Sequence, residues 1–247
     1  LAKSLSAQFL VHWLFWLVVF LACLQITSSY AQNRPPHKAI QPHINTLKPY
    51  QSQILKKLEE FDPLVNEIFR QLAERSLPDS LVLVPMLESS YNANAVSPAK
   101  AAGLWQLMPA TAERFGLTVN DSQDQRFEIE PSTNAAMQYL DFLYRKFDGD
   151  INLTLAAYNA GEGRVQRAVK KAGSRQFSDL RLPKETVDYV HRFYALLVLV
   201  DVTSIKQNSV APMWLFASES HWQNAPFVNL TPLPPLISLK RGARFGL

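Results

Sequence analysis

A mainly α-helical domain is the fold class the sequence predicts, and three observations carry it. Apolar residues recur every three or four positions over long stretches. Proline, serine, aspartate and glycine punctuate those stretches as helix starts and stops. Residues 50–200 contain no comparable run that alternates apolar with polar. With 247 residues and 47% apolar content, the chain has room for one mid-sized core, an export segment and tails.

The elements follow in order. Leu55, Leu58, Phe61, Leu64, Val65, Ile68, Phe69 and Leu72 keep the spacing of one buried helical face, which predicts an N-terminal helix within 51–76. The segment 81–87 is apolar throughout and fits a buried helix or a buried strand equally, with Pro85 awkward in the interior of either. Pro109 marks a start and Gly116 an end; Pro131 and Ser132 open a stretch that closes near Gly149. Asp150 is placed to cap a short helix ending at Gly161, and a basic segment then ends at Gly173. Pro183 opens a final helix to about Val200, with Val187, Val190, Phe193, Tyr194 and Leu197 as its buried stripe. Together these elements define a core domain over 77–202.

The flanks read differently. Lys3 precedes an apolar run over 9–24, and Ser29-Tyr30-Ala31 offers small residues for a signal peptidase, so 1–31 is expected to be an export signal or an N-terminal membrane segment. Cleavage is favoured over anchoring, because the run contains His12 and is shorter than the roughly 20 residues of a spanning helix. Cys23, the only cysteine, lies in this leader, where Leu21 occupies a slot that a lipidation box gives to a smaller residue; a mature exported chain would hold no disulfide. Pro35, Pro36, Pro42 and Pro49 predict a linker over 32–50, and the proline-rich 203–247 is expected to form an irregular tail. A net charge of +4 and a pI near 9.1 suit an anionic polymer or surface without choosing one.

Several chemistries are poorly supported. The histidines at 12, 37, 43, 191 and 221 show no metal-ligand spacing, so no metal is expected. Gly161 and Gly163 begin like a dinucleotide loop, but Gln166 stands where a third glycine belongs, and no cofactor is expected. A serine nucleophile elbow is missing. What remains is Glu88, which ends the apolar run 81–87. An apolar lining disfavours the charged carboxylate, so such a group holds its proton near neutrality and can donate it to a leaving oxygen. The plainer alternative is a solvated glutamate closing an apolar element.

Glu88-Ser89, the block Gly103-Leu104-Trp105-Gln106-Leu107-Met108-Pro109, and Ala156-Ala157-Tyr158-Asn159-Ala160-Gly161 resemble, in order and spacing, the three signature segments of family 1 lytic transglycosylases. Phe147-Asp148-Gly149-Asp150, Gly161-Glu162-Gly163-Arg164-Val165 and the segment 182–190 are further similar to the membrane-bound type D branch of that family. The resemblance covers about 75–202. It implies a lysozyme-like (goose-type) catalytic domain with irregular flanking tails, and it turns 81–87 into a helix with Glu88 at its end. It also implies Glu88 as the single acid/base, Ser97 near the reacting sugar, Gln106 in the groove segment, Tyr158 facing the glutamate, and Asn159 and Tyr189 at the groove. The implied substrate is the glycan strand of peptidoglycan, in the periplasm or cell envelope, with no nucleic-acid partner.

The reaction the resemblance implies is cleavage between N-acetylmuramic acid and N-acetylglucosamine with closure to a 1,6-anhydro end. Most glycosidases instead use two carboxyl groups about 5 to 10 Å apart. Glu113, Asp121, Asp124, Glu128 and Glu130 are the acids available for such a pair, which would make the chain a hydrolytic muramidase; an inactive wall-binding protein is the third reading. Trp105, Met108 and Tyr158 also fit an ordinary core. Arg164, Arg167, Lys170, Lys171 and Arg175 read as a solvated face more readily than as a polymer-binding one.

Overall fold

The computed structural model describes residues 34–208, together with His12, Trp13 and Trp16. Among the described residues every regular element is helical, and pairing between extended segments is confined to isolated bridges. No helix there is long and apolar enough to cross a membrane. Apart from His12, Trp13 and Trp16, the expected leader over 1–31 lies outside the described residues, as does most of the expected tail, although Val202–Asn208 is helical.

The first helix, α1 (His37–Leu47), falls inside the segment expected to be a linker, and that expectation is corrected. Proline content misled because the prolines mostly border the helix: Pro36 is its extended N-cap and Pro49 sits in the 3-10 turn that follows. Only Pro42 is interior, where its missing donor costs one backbone bond. Ile40, Ile44 and Leu47 offset that loss by burying a stripe against the last long helix, α9 (Lys184–Leu199).

The single helix expected over Leu55 to Leu72 is two, α2 (Gln51–Glu60) and α3 (Asp62–Glu74). Pro63 falls in the first turn of α3, where its absent N–H is harmless, and the chain bends at Phe61. α3 keeps the predicted apolar face, with Val65, Ile68 and Leu72 fully buried, whereas in α2 the predicted Leu55 is exposed and its neighbour Ile54 is buried instead. The 3-10 turn Asp79–Leu83 leads straight into α4 (Val84–Ser89). Pro85 is again a first-turn proline and not an interior one, which removes the difficulty it posed. Ser90, in the left-handed region at φ 52°, stops α4 immediately after Glu88-Ser89.

Between α4 and α5 (Pro109–Arg114) the chain forms a compact loop held by backbone bonds: Ala102 and Leu107 exchange N–H to O contacts of 3.1 Å, and Gly103 N donates to Ala95 O at 2.8 Å. Gly103 has φ +79°, and a Cβ there would lie 1.8 Å from the carbonyl oxygen of Arg126, so only glycine fits. Arg126 is itself buried; its guanidinium donates to the carbonyls of Lys100 and Leu107 and to the Asp124 carboxylate.

The rest of the domain wraps this loop. α6 (Ile129–Lys146) and α7 (Ile151–Ala160) pack on one another, and α7 is buried over every residue of 152–157, as a central helix must be. Asp150 caps α7 by accepting from Leu153 N at 3.0 Å. The exposed helix α8 (Glu162–Ala172) buries only Val165, and Arg164, Arg167, Lys170, Lys171 and Arg175 all face solvent. In α9 the buried face is rotated from the predicted one: Tyr189, Val190, Phe193 and Leu196 are fully buried, whereas Val187 and Leu197 are half-buried.

Candidate active site

Glu88 sits in the last turn of α4, carried there by seven buried residues, 81–87. It keeps partial exposure while the six residues of α4 fix its backbone from behind. The phenol of Tyr189 on α9 donates to Glu88 Oε1 at 2.6 Å. Arg192, one helical turn beyond Tyr189, adds a positive charge that acts on the same carboxyl. Burial outweighs both and pushes Glu88 from 4.5 up to about 7, while the Tyr189 bond and Arg192 pull the other way. No carboxylate acts on Glu88 among the described residues; Tyr189 and Arg192 are the groups that do.

Two hydrogen bonds hold the 103–108 loop against this acid. Ser89 Oγ, next to Glu88, donates to Leu104 O at 2.8 Å, and the Tyr158 phenol on α7 donates to Trp105 O at 2.8 Å. The loop is thereby pinned between α4 and α7. Burial, with the Glu88 charge adding to it, pushes the Tyr158 phenol well up, and Tyr158 packs on Tyr139 with ring centroids 5.2 Å apart. Both tyrosines therefore stay neutral donors.

The expected site residues fall into two groups. Tyr189 and Tyr158 converge on Glu88, but the direct bond belongs to Tyr189, while the Tyr158 hydroxyl is committed to the loop. Ser97 and Gln106 are half-buried loop residues. Ser97 Oγ accepts from Ala101 N at 3.0 Å, and Gln106 Nε2 donates to Ala95 O and Gly103 O, so both side chains shape the loop. Gln106 holds φ 48°, a strained value that those two bonds help to fix. Asn159 is half-buried in the last turn of α7.

Trp105 is core: it is fully buried and its Nε1 donates to Thr133 Oγ1 at 3.0 Å, whereas Met108 is exposed. Glu113, Asp121, Glu128 and Glu130 are exposed, and Asp124 is occupied by Arg126. A separate cavity of about 680 Å³, lined in part by Tyr144, Asp150, Arg175 and Tyr194, contains none of the expected site residues. Sequence reading missed Ser89 as the loop anchor, Arg126 as the buried plug, and Arg192. Arg192 alone had a usable signal, since it stands three residues after Tyr189 on a helix and therefore shares its face.

Residues 66–180 match the family described as Transglycosylase SLT domain. Over 139 residues the chain is 42% identical to membrane-bound lytic murein transglycosylase D of Escherichia coli strain K12, a stretch covering 55% of this chain and 31% of that protein. Over 125 residues it is 33% identical to the soluble lytic murein transglycosylase of the same strain, covering 48% and 19% respectively. The crystal structure of the 70 kDa soluble lytic transglycosylase from Escherichia coli superposes with a TM-score of 0.49 at 22% identity, over 69% of this chain and 30% of that one. The chain thus spans under a third of the length of these relatives.

Proposed function

We propose, on the match of residues 66–180 to the family described as Transglycosylase SLT domain, that the chain is a peptidoglycan lytic transglycosylase of the cell envelope. It cleaves the β-1,4 bond between N-acetylmuramic acid and N-acetylglucosamine and leaves a 1,6-anhydro-N-acetylmuramic acid end. The observation that carries the reading is a carboxyl, Glu88, poised near pH 7 against Tyr189, with no second carboxylate acting on it among the described residues.

A single group poised near neutrality can serve as acid and then as base. Protonated Glu88 gives its proton to the glycosidic oxygen as the bond from that oxygen to the anomeric carbon breaks. The substrate's acetamido group stabilises the positive anomeric carbon. The Glu88 carboxylate then takes the proton of the C6 hydroxyl, and O6 bonds to the anomeric carbon. Glu88 ends protonated, as it began, and water is not consumed. Between the two steps the carboxylate is stabilised by the Tyr189 phenol and by Arg192, both already in place.

The remaining assignments are positional. The loop pinned by Ser89 and Tyr158 forms one wall beside the acid, and Ser97, Gln106 and Asn159 are assigned to sugar binding along it. Support for the anhydro product over hydrolysis comes from the pairing of Asp124 with Arg126 and the exposure of Glu113, Asp121, Glu128 and Glu130. The test is digestion of purified sacculi followed by mass spectrometry of the released muropeptides. Anhydro ends are expected; reducing ends would make the chain a hydrolase, and binding without release would make it a wall-binding protein.

A further inference from the structure

Away from Glu88, the packing of α1 on α9 brings together three side chains that sequence spacing kept apart. Asp188 and His191 lie three residues apart on α9 and so share a face. His43 reaches them from α1. Its Nε2 is 3.7 Å from Asp188 Oδ1, and its ring centroid is 5.9 Å from that of His191. Two imidazole nitrogens and one carboxylate oxygen all fall within 4.8 Å of one another, and all three residues are half-buried.

We propose that His43, Asp188 and His191 form a three-ligand site for a divalent metal of the zinc class, clamping α1 to α9. The donor set, two imidazoles and a carboxylate, suits zinc, with a fourth position left to solvent. With metal bonds of about 2.0–2.1 Å, tetrahedral ligand atoms stand roughly 3.3 Å apart. The present spacing therefore closes onto an ion by side-chain shifts of about 1 Å, with no movement of either helix.

The surroundings favour binding. Lys184 bonds Asp188 through Oδ2, which leaves Oδ1 facing His43, and the lysine side chain is largely exposed and free to swing away. Phe177 covers one side of His191 with an edge contact at 6.4 Å between ring centroids. Burial holds both imidazoles below their usual range, helped for His43 by His191, Arg192 and Lys184 and for His191 by Lys184, against the opposing pull of Asp188. Burial thus opposes the charged form of each ring, and the neutral imidazole is the ligating form.

The experiment is zinc titration of the metal-stripped full chain by isothermal calorimetry and thermal melting, alongside His43→Gln, His191→Gln and the double variant. Cobalt(II) serves as an absorbance probe of the coordination. Wild type is expected to bind one zinc and to melt on the order of 5 °C higher at a hundredfold excess over Kd. Each single variant should bind at least about tenfold more weakly, as expected for loss of a ligand, with its metal-free melting temperature unchanged. Equal zinc binding by the double variant would assign the ion to His12, His37 or His221 and overturn the proposal. So would the absence of saturable binding at millimolar zinc. An octahedral cobalt spectrum that the variants do not alter would count against it in the same way.

Discussion

Replacing Glu88 by glutamine removes a titrating group while keeping an oxygen that accepts from Tyr189, so its effect on stability should depend on pH in a calculable way. The folded carboxyl titrates at about 7 and the unfolded one near 4.5. Below pH 4.5 the proton is bound in both states and the contribution of Glu88 to stability is fully present. Between pH 4.5 and 7 the unfolded chain releases the proton more readily than the folded one, and stability falls as pH rises. Above about pH 7 both states are ionised and the loss is complete. The rise from 4.5 to about 7 corresponds to about 3 kcal/mol, and because Glu88 keeps some exposure about 2–3 kcal/mol is the working figure. For a domain of this size that is roughly 5–10 °C. Melting curves of wild type and Glu88→Gln from pH 4 to 9 should show the variant gaining on wild type between pH 4.5 and 7 and then running parallel above it. A melting difference that stays constant across that range would refute the placement of an ionisable carboxyl in an environment that disfavours its charge.

Three further outcomes follow from the same geometry. Tyr189→Phe deletes a hydrogen bond that favours the charged form of Glu88, a bond of about 1.5–3 kcal/mol to an ionised group, so the alkaline limb of the pH profile for kcat/KM on peptidoglycan should move up by about one unit or more; a downward move would count against the assignment. Gly103→Ala sets a Cβ 1.8 Å from Arg126 O at a positive φ and should cost roughly 2–4 kcal/mol in chemical denaturation, whereas a variant within 0.5 kcal/mol of wild type would mean that the loop is built differently. Ile44→Ala on α1 should cost about 2–4 kcal/mol as a buried core truncation, and a negligible change would restore the reading of this segment as a linker.

The contrast between α1 and the Glu88 segment shows what the sequence could disclose. Where one residue type has a single structural meaning, reading succeeded: the three-to-four spacing of Leu58 to Leu72 marks a buried face wherever the chain bends, and Asp150 caps whatever helix follows it. Proline has several meanings. It is excluded from helix interiors but favoured in first turns, so Pro85 looked awkward and is a start, Pro63 starts a second helix where one was expected, and the four prolines around α1 hid a helix whose stability comes from α9. Within the site, the acidity of Glu88 was legible because the seven residues before it are all apolar. Its bond to Tyr189 spans 101 residues, and no local pattern encodes such a contact. The same limit hid the approach of His43 to Asp188 and His191, which depends on the docking of two helices at opposite ends of the domain.

That docking links the two sites through α9. Asp188 and His191 form one pair of residues three apart, and Tyr189 and Arg192 form the next, one residue further round the same turns. The first pair meets α1 through His43, and the second acts on Glu88. Successive residues on a helix point about 100° apart, so the two pairs occupy adjacent faces of a single rigid rod. Any rotation of α9 that loosened its packing on Ile40, Ile44 and Leu47 would swing the Tyr189 phenol off a bond of 2.6 Å, and at that length a shift of 1 Å is enough to break it. The buried stripe of α1 therefore does more than add core. It sets the azimuth at which α9 presents its phenol and its guanidinium to the acid, and the stabilisation of the ionised Glu88 carboxylate against burial depends on that azimuth being held.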